Sequence, residues 1–439
     1  MNGTMATTAK ALSTAAILIG MAAAARAETR LTLAQAQALA RGRRSDLAAG
    51  ELGVRLGQLE RLRAGLRRVR LGAGGRWSEQ LEQRFANAPP ALCATVDGLC
   101  RPLSRDRVID LWANLEVPVW TGFSLEAEWA RAGQLERGAR AEQEARRKAL
   151  NLEVARAYWE VRLAELQYQS AARALARRSE VAAVVKARFD GGLAPRTDHG
   201  RAEGAVLRQR ATVAELQGRE AEARAELAAA LQIDEAIALA DDPDDEVALP
   251  ALATVLASAA RRPELAAAQA RTEAQAQQVR AVRGTYWPEI SLFARAEAQN
   301  QALGVTQPGL MGNFSAGVQA SWQALDGFLT WQAVQVAEVE RDRLALEQER
   351  LRHLVDAEVR RAHARLAGAL AQRRPLAEAR ALAETTVALT RRRYQAGTSL
   401  LIELLDAEDE LAQLDAAVVG KAVEIAEAQA ALAAAGGEP

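Results

Sequence analysis

Residues 126–189 of the chain read EAEWARAGQLERGARAEQEARRKALNLEVARAYWEVRLAELQYQSAARALARRSEVAAVVKARF, an alanine-rich and highly charged stretch without proline. Its apolar residues recur at alternating steps of four and three: Leu150, Val154, Ala157, Val161, Ala164, Tyr168, Ala171 and Leu175. This spacing is a heptad seam, and it predicts a long helix that packs along other helices. At 1.5 Å per residue, roughly 60 helical residues would reach about 90 Å. Such a rod suits a conduit or a spacer rather than a compact core.

The chain carries this element twice. A shift of 205 positions places landmarks of the first half on their counterparts in the second: Gly122 on Gly327, Phe189 on Tyr394 and Gly192 on Gly397. Further upstream, a shift of 218 lays residues 43–48 over residues 261–266. A register shared over this much of the chain is an internal repeat, which decides the architecture before any single motif does. The sequence therefore predicts a duplicated fold.

The charge balance restricts the class of protein. The 439 residues include 56 basic and 56 acidic side chains, so the formal net charge is zero. Because phosphate binding needs a basic excess, nucleic acid is not an expected partner. Only 4% of the residues are aromatic, which suits close helix–helix packing better than a thick globular core.

The first 27 residues have the features of a secretory signal peptide. Lys10 precedes an apolar run, and Ala25-Arg26-Ala27 fits a cleavage site. Glu28 rather than cysteine follows that site, so lipid attachment is not expected. An uncleaved anchor is the alternative, although the run is short for a membrane span. Since no other segment is long and apolar enough, helices are not the expected route across a membrane.

The two cysteines, Cys93 and Cys100, lie in a loop over residues 87–106 that contains proline and glycine. In an exported chain this arrangement favours a local disulfide. Metal binding is the weaker alternative, because none of the three histidines lies near the loop in sequence. No metal or cofactor is expected.

Strand patterns precede each long helix. Residues 289–299 and 314–323 alternate between apolar and polar side chains, and residues 69–78 and 110–119 do so less regularly. Segments of about ten residues with one apolar and one polar face are typical of membrane β-barrel strands. Small surface hairpins on a soluble helical protein are the alternative. Because four strands cannot close a membrane barrel, the barrel hypothesis requires several subunits to donate four strands each.

The motifs at the ends of these elements resemble those of the TolC family of outer-membrane channels. They are the junctions VPVWTG at 117–122 and QALDG at 323–327, the strand entry YWP at 286–288, and the tips RFDGGL at 188–193 and RYQAGT at 393–398. The resemblance covers essentially all of the mature chain and rests on the order, spacing and duplication of these motifs.

The resemblance implies a mainly α-helical fold with a small membrane β part, built from a duplicated strand-strand-long helix repeat. In a homotrimer, four strands per subunit would form a 12-stranded outer-membrane barrel, continued by a long α-helical barrel through the periplasm. It further implies a passive exit duct for efflux or type I secretion. The expected partners are a periplasmic adaptor (membrane fusion protein), an inner-membrane transporter of the RND, ABC or MFS type, and outer-membrane lipid.

The expected organisation is a signal peptide at 1–27, a first repeat at 28–240, an acidic linker at 241–247 and a second repeat at 248–439. The first repeat is expected to hold strands at 68–86 and 107–121 and a long helix at 123–189. The second is expected to hold strands at 288–299 and 313–325, a long helix at 328–394 and a return helix at 399–434.

The resemblance also assigns residue roles. A periplasmic gate is expected at Glu403, Asp406, Tyr394, Ser399 and Asp198. Glu403 and Asp406 share a helix face, and on a threefold axis they would form carboxylate rings that select cations. Ser399 stands where the family's prototype has an arginine that locks the closed state. Adaptor docking is expected at Phe189, Gly192, Leu193, Gly397 and Thr398. Strand–helix junctions are expected at Pro118, Gly122, Asp326 and Gly327.

Two other classes of protein compete with the duct. A periplasmic coiled-coil adaptor or structural protein without a barrel usually has one helical hairpin, whereas this sequence has two. An enzyme is disfavoured, because the sequence has no phosphate-binding glycine loop and no nucleophile motif. For Glu403 and Asp406, the alternative to a gate is two solvated charges on an ordinary helix.

Overall fold

A computed structural model of the chain describes residues 29–79, 107–233, 237–244, 246–299 and 311–437. The elements, in chain order, are β1 Thr29–Leu31, α1 Leu33–Arg43, α2 Ser45–Leu66, β2 Arg70–Glu79, β3 Arg107–Trp120, α3 Ser124–Asp190, α4 Arg196–Leu231, β4 Ile237–Leu239, α5 Leu252–Ala259, α6 Pro263–Gly284, β5 Glu289–Gln299, β6 Met311–Ser321, α7 Leu329–Gln395 and α8 Leu401–Gly436. The chain is mainly helical, with two helices of 67 residues that each follow a pair of strands. The predicted fold class is confirmed.

The chain divides into two compact units. The described residues within 29–49, 144–262 and 353–437 belong to the first, and those within 50–143 and 263–352 belong to the second. The long helices α3 and α7 contribute residues to both units. None of the described helices combines the length and the apolar content that a membrane crossing needs.

The second unit contains a four-stranded antiparallel sheet in the order β2-β3-β5-β6. Its central pairing joins the halves of the chain, with Asp110 opposite Gln299 and Val117 opposite Leu292. Because paired residues point to the same side, one face is apolar and the other mainly polar. The apolar face contains rows of paired residues such as Leu71, Leu115, Ala294 and Ala316. These alternate with rows on the polar face such as Gly72, Asn114, Arg295 and Ser315.

The first unit is organised around an apolar cluster of α1, α2, α3, α4 and α8. Thr32 caps α1 through a reciprocal capping box with Gln35. The buried Tyr158 hydroxyl donates to the carbonyl of Leu31 (3.1 Å) and accepts from the amide of Asp241 (3.0 Å). The Asp241 carboxylate in turn accepts from the amide of Leu33 at 2.7 Å. The predicted acidic linker thus caps α1 through its first residue.

The repeat is visible in atomic contacts within the first unit. Arg44 pairs with Glu153 at 3.1 Å and donates to the carbonyl of Ala230 at 3.5 Å. Its counterpart Arg262 pairs with Glu358 at 2.9 Å and donates to the carbonyl of Ala435 at 3.5 Å. The arginines are related by the shift of 218 and their partners by the shift of 205. This duplicated contact therefore contains both of the shifts that were found in the sequence.

Some features differ from the expected bounds. The ladder of β5 and β6 ends at the pair Glu289 and Ser321, so β6 stops four residues before the expected end at 325. Pro288, which has no amide hydrogen to donate, precedes that pair. The short parallel strands β1 and β4 were not predicted. The signal peptide, the expected strand end at 80–86, and Cys93 and Cys100 lie outside the described residues.

Candidate functional site at the helical hairpin tips

Two sharp reversals join α3 to α4 and α7 to α8. Gly192 and Gly397 have φ values of +72° and +77°, a region that favours glycine. The amide of Gly192 bonds the carbonyl of Phe189, and the amide of Leu193 bonds that of Arg188, at 2.9 and 2.7 Å. The same pair of bonds recurs 205 positions later at Gly397 and Thr398. Both helices therefore end in a Schellman motif, which satisfies their last carbonyls.

The aromatic residue before each reversal has a different environment. Phe189 stacks on His199 of α4, with ring centroids 5.2 Å apart. Tyr394 is buried, and the guanidinium of Arg188 lies 5.0 Å above the centre of its ring. Arg188 also donates to the carbonyl of Tyr394. Arg188 therefore fastens the end of α3 to the end of α7.

Burial raises the pKa of the Tyr394 phenol above its usual value. Arg188 lowers this pKa in part, and the negative charge of Asp198 adds to the rise. Asp198, at the start of α4, is thus close enough to Tyr394 to influence its ionisation. Tyr394 and Asp198 are both expected gate residues, and the charge of Asp198 acts on the Tyr394 phenol.

Glu403 and Asp406 lie exposed on α8, while Leu401 and Leu404 between and beside them are buried. The Ser399 hydroxyl donates to the Glu403 carboxylate at the start of the helix. Ser399 therefore holds Glu403 within the first turn of α8. Asp406 lies on the same face one turn further along.

An apolar cluster supports both tips from beneath. It joins α3, α4, α7 and α8 through Val181, Val185, Ala202, Ala205, Tyr394, Leu401, Leu404 and Leu405. By contrast, Leu193 and Leu400 in the turns are 73% and 66% exposed. The tips are thus apolar and buried at their base, and each turn exposes one leucine.

Sequence reasoning missed a charged network beneath this cluster. Glu408 and Asp415 are 1% and 5% exposed. Arg177 of α3 bridges them, with Nε 3.1 Å from Glu408 and a terminal nitrogen 3.2 Å from Asp415. Arg391 of α7 contacts the other Glu408 oxygen at 2.9 Å, and Arg380 contacts the other Asp415 oxygen at 2.7 Å.

A signal for this network exists in the sequence. The buried positions of α8 follow a heptad seam: Leu401, Leu404, Glu408, Leu411 and Asp415. A carboxylate within an apolar seam must find partners on the neighbouring helices, because an unpaired buried charge is strongly unfavourable. The pattern could have revealed the carboxylates but not which arginines bind them.

The strand–helix junctions lie in the second unit. Gly122 and Phe123 have φ values of 61° and 67°, and Gly327 and Phe328 have 68° each. Asp326 accepts a hydrogen bond from the amide of Thr330 at 2.7 Å. Hydrogen bonds from Thr330 lower the pKa of the Asp326 carboxyl. In the first junction the register of β3 shifts between Pro118 and Trp120, a bulge that precedes the turn.

These features agree with the comparisons to known proteins. A model of the family described as outer membrane efflux protein matches residues 69–231 and 256–438. The chain therefore belongs to the outer membrane efflux protein family, and its location is the outer membrane. The resemblance seen in the sequence is confirmed. Members of this family are transport conduits rather than enzymes.

Solved structures share the fold at low sequence identity. The outer-membrane channel OprN aligns with a TM-score of 0.78 at 20% identity, covering 93% of this chain and 90% of that chain. VceC of Vibrio cholerae aligns at 0.78 and 19%, covering 92% and 96%. The open state of the MtrE channel of Neisseria gonorrhoeae aligns at 0.73 and 19%, covering 92% and 89%. No curated protein sequence gave a significant match.

Proposed function

We propose that the protein is the passive outer-membrane exit duct of a tripartite efflux or type I secretion system. Three copies form a 12-stranded β-barrel, and their long helices form an α-helical barrel in the periplasm. A periplasmic adaptor docks on the helical tips, and an inner-membrane transporter of the RND, ABC or MFS type supplies the energy. The duct itself contributes the passage and its gate.

The four-stranded sheet carries this proposal. Its apolar face is open in the single chain, with Leu71 80% and Phe314 73% exposed. Its outer strands, β2 and β6, each have a partner on one side only within the described residues. Unpaired backbone groups cost several kcal/mol each in lipid, so the two edges require partners from other copies. Closure by three copies gives lipid an apolar wall and encloses the polar face around water.

Exposed seams on the helices of the second unit support the same assembly. Leu52, Leu56, Leu59 and Leu66 are each more than half exposed along α2. Val336, Val339 and Leu346 form a comparable stripe on α7. The spacing of both sets follows the heptad pattern that favours helix–helix contact. We assign these stripes to contacts between neighbouring subunits.

The gate is assigned to Glu403 and Asp406, supported by Ser399, Tyr394 and Asp198. Both carboxylates are exposed in the single chain, which leaves them available to line a threefold axis. Three copies of each would concentrate negative charge in a narrow opening and attract cations. Arg188 holds the ring of Tyr394 and links the end of α3 to the end of α7.

The docking surface is assigned to the turn residues Phe189, Gly192, Leu193, Gly397 and Thr398. The exposed Leu193 offers an apolar contact, and the glycines let the partner approach the backbone closely. Both turns have the same backbone geometry. One helical hairpin of an adaptor can therefore meet either turn of a subunit.

Membrane fractionation and planar-bilayer recording test the proposal. The mature chain is expected in the detergent extract of outer membranes as a trimer, and the purified trimer is expected to conduct ions. A soluble monomer without conductance would favour the alternative of a periplasmic coiled-coil protein. As a matched control, a chain without residues 289–321 retains the helices but lacks β5 and β6, and it should not insert.

A further inference from the structure

The gate-bearing helix α8 is held by a chain of five charged side chains in the order Arg391, Glu408, Arg177, Asp415, Arg380. It joins α3, α7 and α8, and none of its members belongs to the gate or the docking surface. We propose that Glu408 and Asp415 are positioning residues. They fix the rotation of α8 about its own axis, and with it the direction of the Glu403 and Asp406 carboxylates. This inference rests on the proposed gate.

Helix geometry links the two sets of residues. Successive residues on an α-helix are about 100° apart around its axis. Asp406 therefore points about 160° away from Glu408, and Glu403 points about 140° away in the other sense. When Glu408 faces α3 and α7, both gate carboxylates must face the opposite side. Any rotation of α8 that moves one set moves the other by the same angle.

The network defines this angle more sharply than apolar contacts do. Burial of the leucines in a heptad seam is non-directional, so by itself it fixes the rotation less sharply. In contrast, each oxygen of Glu408 and of Asp415 has a guanidinium nitrogen at 2.7–3.2 Å. Both carboxylates share Arg177, so α8 is fixed at two points that lie seven positions apart. Rotation of α8 would break several charge-assisted bonds together.

Further charged contacts next to this network also hold α8 in its rotation. Arg178, next to Arg177, is paired with Asp409, next to Glu408. Glu180 extends the network at its other end by binding Arg391 at 3.2 Å. The charged contacts thus tie α8 to α3 over about two turns. The gate carboxylates themselves lie outside this set.

Bilayer recordings with Mg²⁺ as the blocking cation test the inference on the full chain. The variants are E408Q, D415N and the conservative E408D. E378Q is the matched control, because Glu378 pairs at 2.7 Å with Arg374 on the exposed side of α7. The double variant E403A/D406A is the reference for a lost gate. Thermal dissociation of the trimer is measured for each variant, so that stability and block are read separately.

We expect E408Q to raise the Mg²⁺ concentration for half block at least threefold, while the conductance without Mg²⁺ still reports an assembled channel. D415N should act in the same direction, E408D should recover at least half of the loss, and E378Q should match the unmodified protein. A purely structural role would lower the dissociation temperature and leave the block of the remaining trimers unchanged. That outcome would overturn the inference.

The double variant E403A/D406A distinguishes a failure of this inference from a failure of the gate assignment. If E403A/D406A weakens the block but E408Q and D415N do not, the gate stands and the positioning role is wrong. If E403A/D406A leaves the block unchanged, the gate assignment itself is wrong. Failure of both E408Q and D415N to assemble would make the network a folding element and would also count against the inference.

Discussion

Gly122 and Gly327 occupy the same place in the two repeats, yet their surroundings differ. Both have positive φ values, of 61° and 68°. A Cβ atom on Gly122 would lie 2.4 Å from the carbonyl oxygen of Gly284, whereas a Cβ on Gly327 would meet nothing within 4 Å. The first glycine is needed for backbone angle and for space, and the second for backbone angle alone.

This difference gives a matched pair of substitutions. We expect G327A to destabilise the protein by about 1–2 kcal/mol, because alanine is strained in the left-handed region. G122A should add about 1–3 kcal/mol for the clash with the Gly284 backbone. Thermal dissociation of the purified trimer in detergent measures both. Equal effects of the two substitutions would contradict the close approach.

The Tyr158 hydroxyl connects α3 to the carboxyl ends of both strands of the parallel β1–β4 pair. Replacing it with phenylalanine removes one donated and one accepted hydrogen bond in a fully buried place. We expect Y158F to cost about 1–3 kcal/mol and to speed amide hydrogen exchange in 29–31 and 237–239. Y168F, on the same helix and only half-buried, is the control. Unchanged exchange in β1 and β4 would show that this hydroxyl does not hold the strands.

At the scale of elements, a buried carboxylate fixes the crossing of α2 and α3 in the second unit. Glu136 binds Arg61 at 3.1 Å and Arg140 at 2.5 Å. A Cβ on Gly57 would lie 3.3 Å from the Glu136 backbone, so the helices approach closely at this point. Arg61 also covers the ring of Trp129 at 4.9 Å.

The hydrogen bond from Arg61 is the main reason why the pKa of Glu136 is lowered. Because the pKa of Glu136 is lower in the folded protein, its carboxylate stabilises the fold at pH values above the usual glutamate pKa near 4.3. This contribution is lost as the pH falls through the folded-state pKa. We expect E136Q to reduce stability at neutral pH by about 1–3 kcal/mol. In E136Q, the free energy of unfolding should also fall less steeply as the pH drops below about 4.3. Melting curves across this pH range test both, and parallel pH profiles would contradict the role of Glu136.

The sequence predicts the long elements well and the short ones poorly. The heptad seam of α3 and the strict alternation in β5 are local patterns repeated many times, so each residue reinforces the others. The strands β1 and β4 have three residues each and exist because they pair across more than 200 positions. No local pattern carries that pairing. The end of β6 likewise depends on where β5 begins, at Glu289.

The candidate site shows the same division. The glycines of both turns and the aromatic residues before them follow from the repeat. The difference between Phe189, which stacks on His199, and Tyr394, which lies under Arg188, depends on packing between helices. Glu408 and Asp415 interrupt a recognisable seam, but their three arginines come from two other helices. The roles of the gate and docking residues remain predictions.

At the scale of the whole molecule, the proposed gate would form only after assembly. Each subunit contributes the exposed carboxylates of Glu403 and Asp406, and a ring requires three copies. We expect E403A/D406A to raise the conductance of the trimer and to reduce its preference for cations, because the negative charge at the narrow opening is removed. Planar-bilayer conductance and reversal potentials in a salt gradient measure these changes.

The removal of a negative charge elsewhere on the same helix provides the control for this measurement. E410Q alters an exposed carboxylate one turn beyond Asp406. If E410Q changes conductance and cation preference as much as E403A/D406A does, the effect reflects the total charge of the helix. The assignment of the gate to Glu403 and Asp406 would then be wrong.

The central pairing of the sheet also sets an order of events during biogenesis. β3 finds one neighbour, β2, close by in the chain, but its other neighbour, β5, arrives only after the two helices of the first repeat have been translocated. Throughout that interval the edge of β3 is an open template for any passing strand. We therefore expect the newly exported chain to need a holding chaperone for residues 107–120, and depletion of such a chaperone should produce aggregates that are nucleated by this segment.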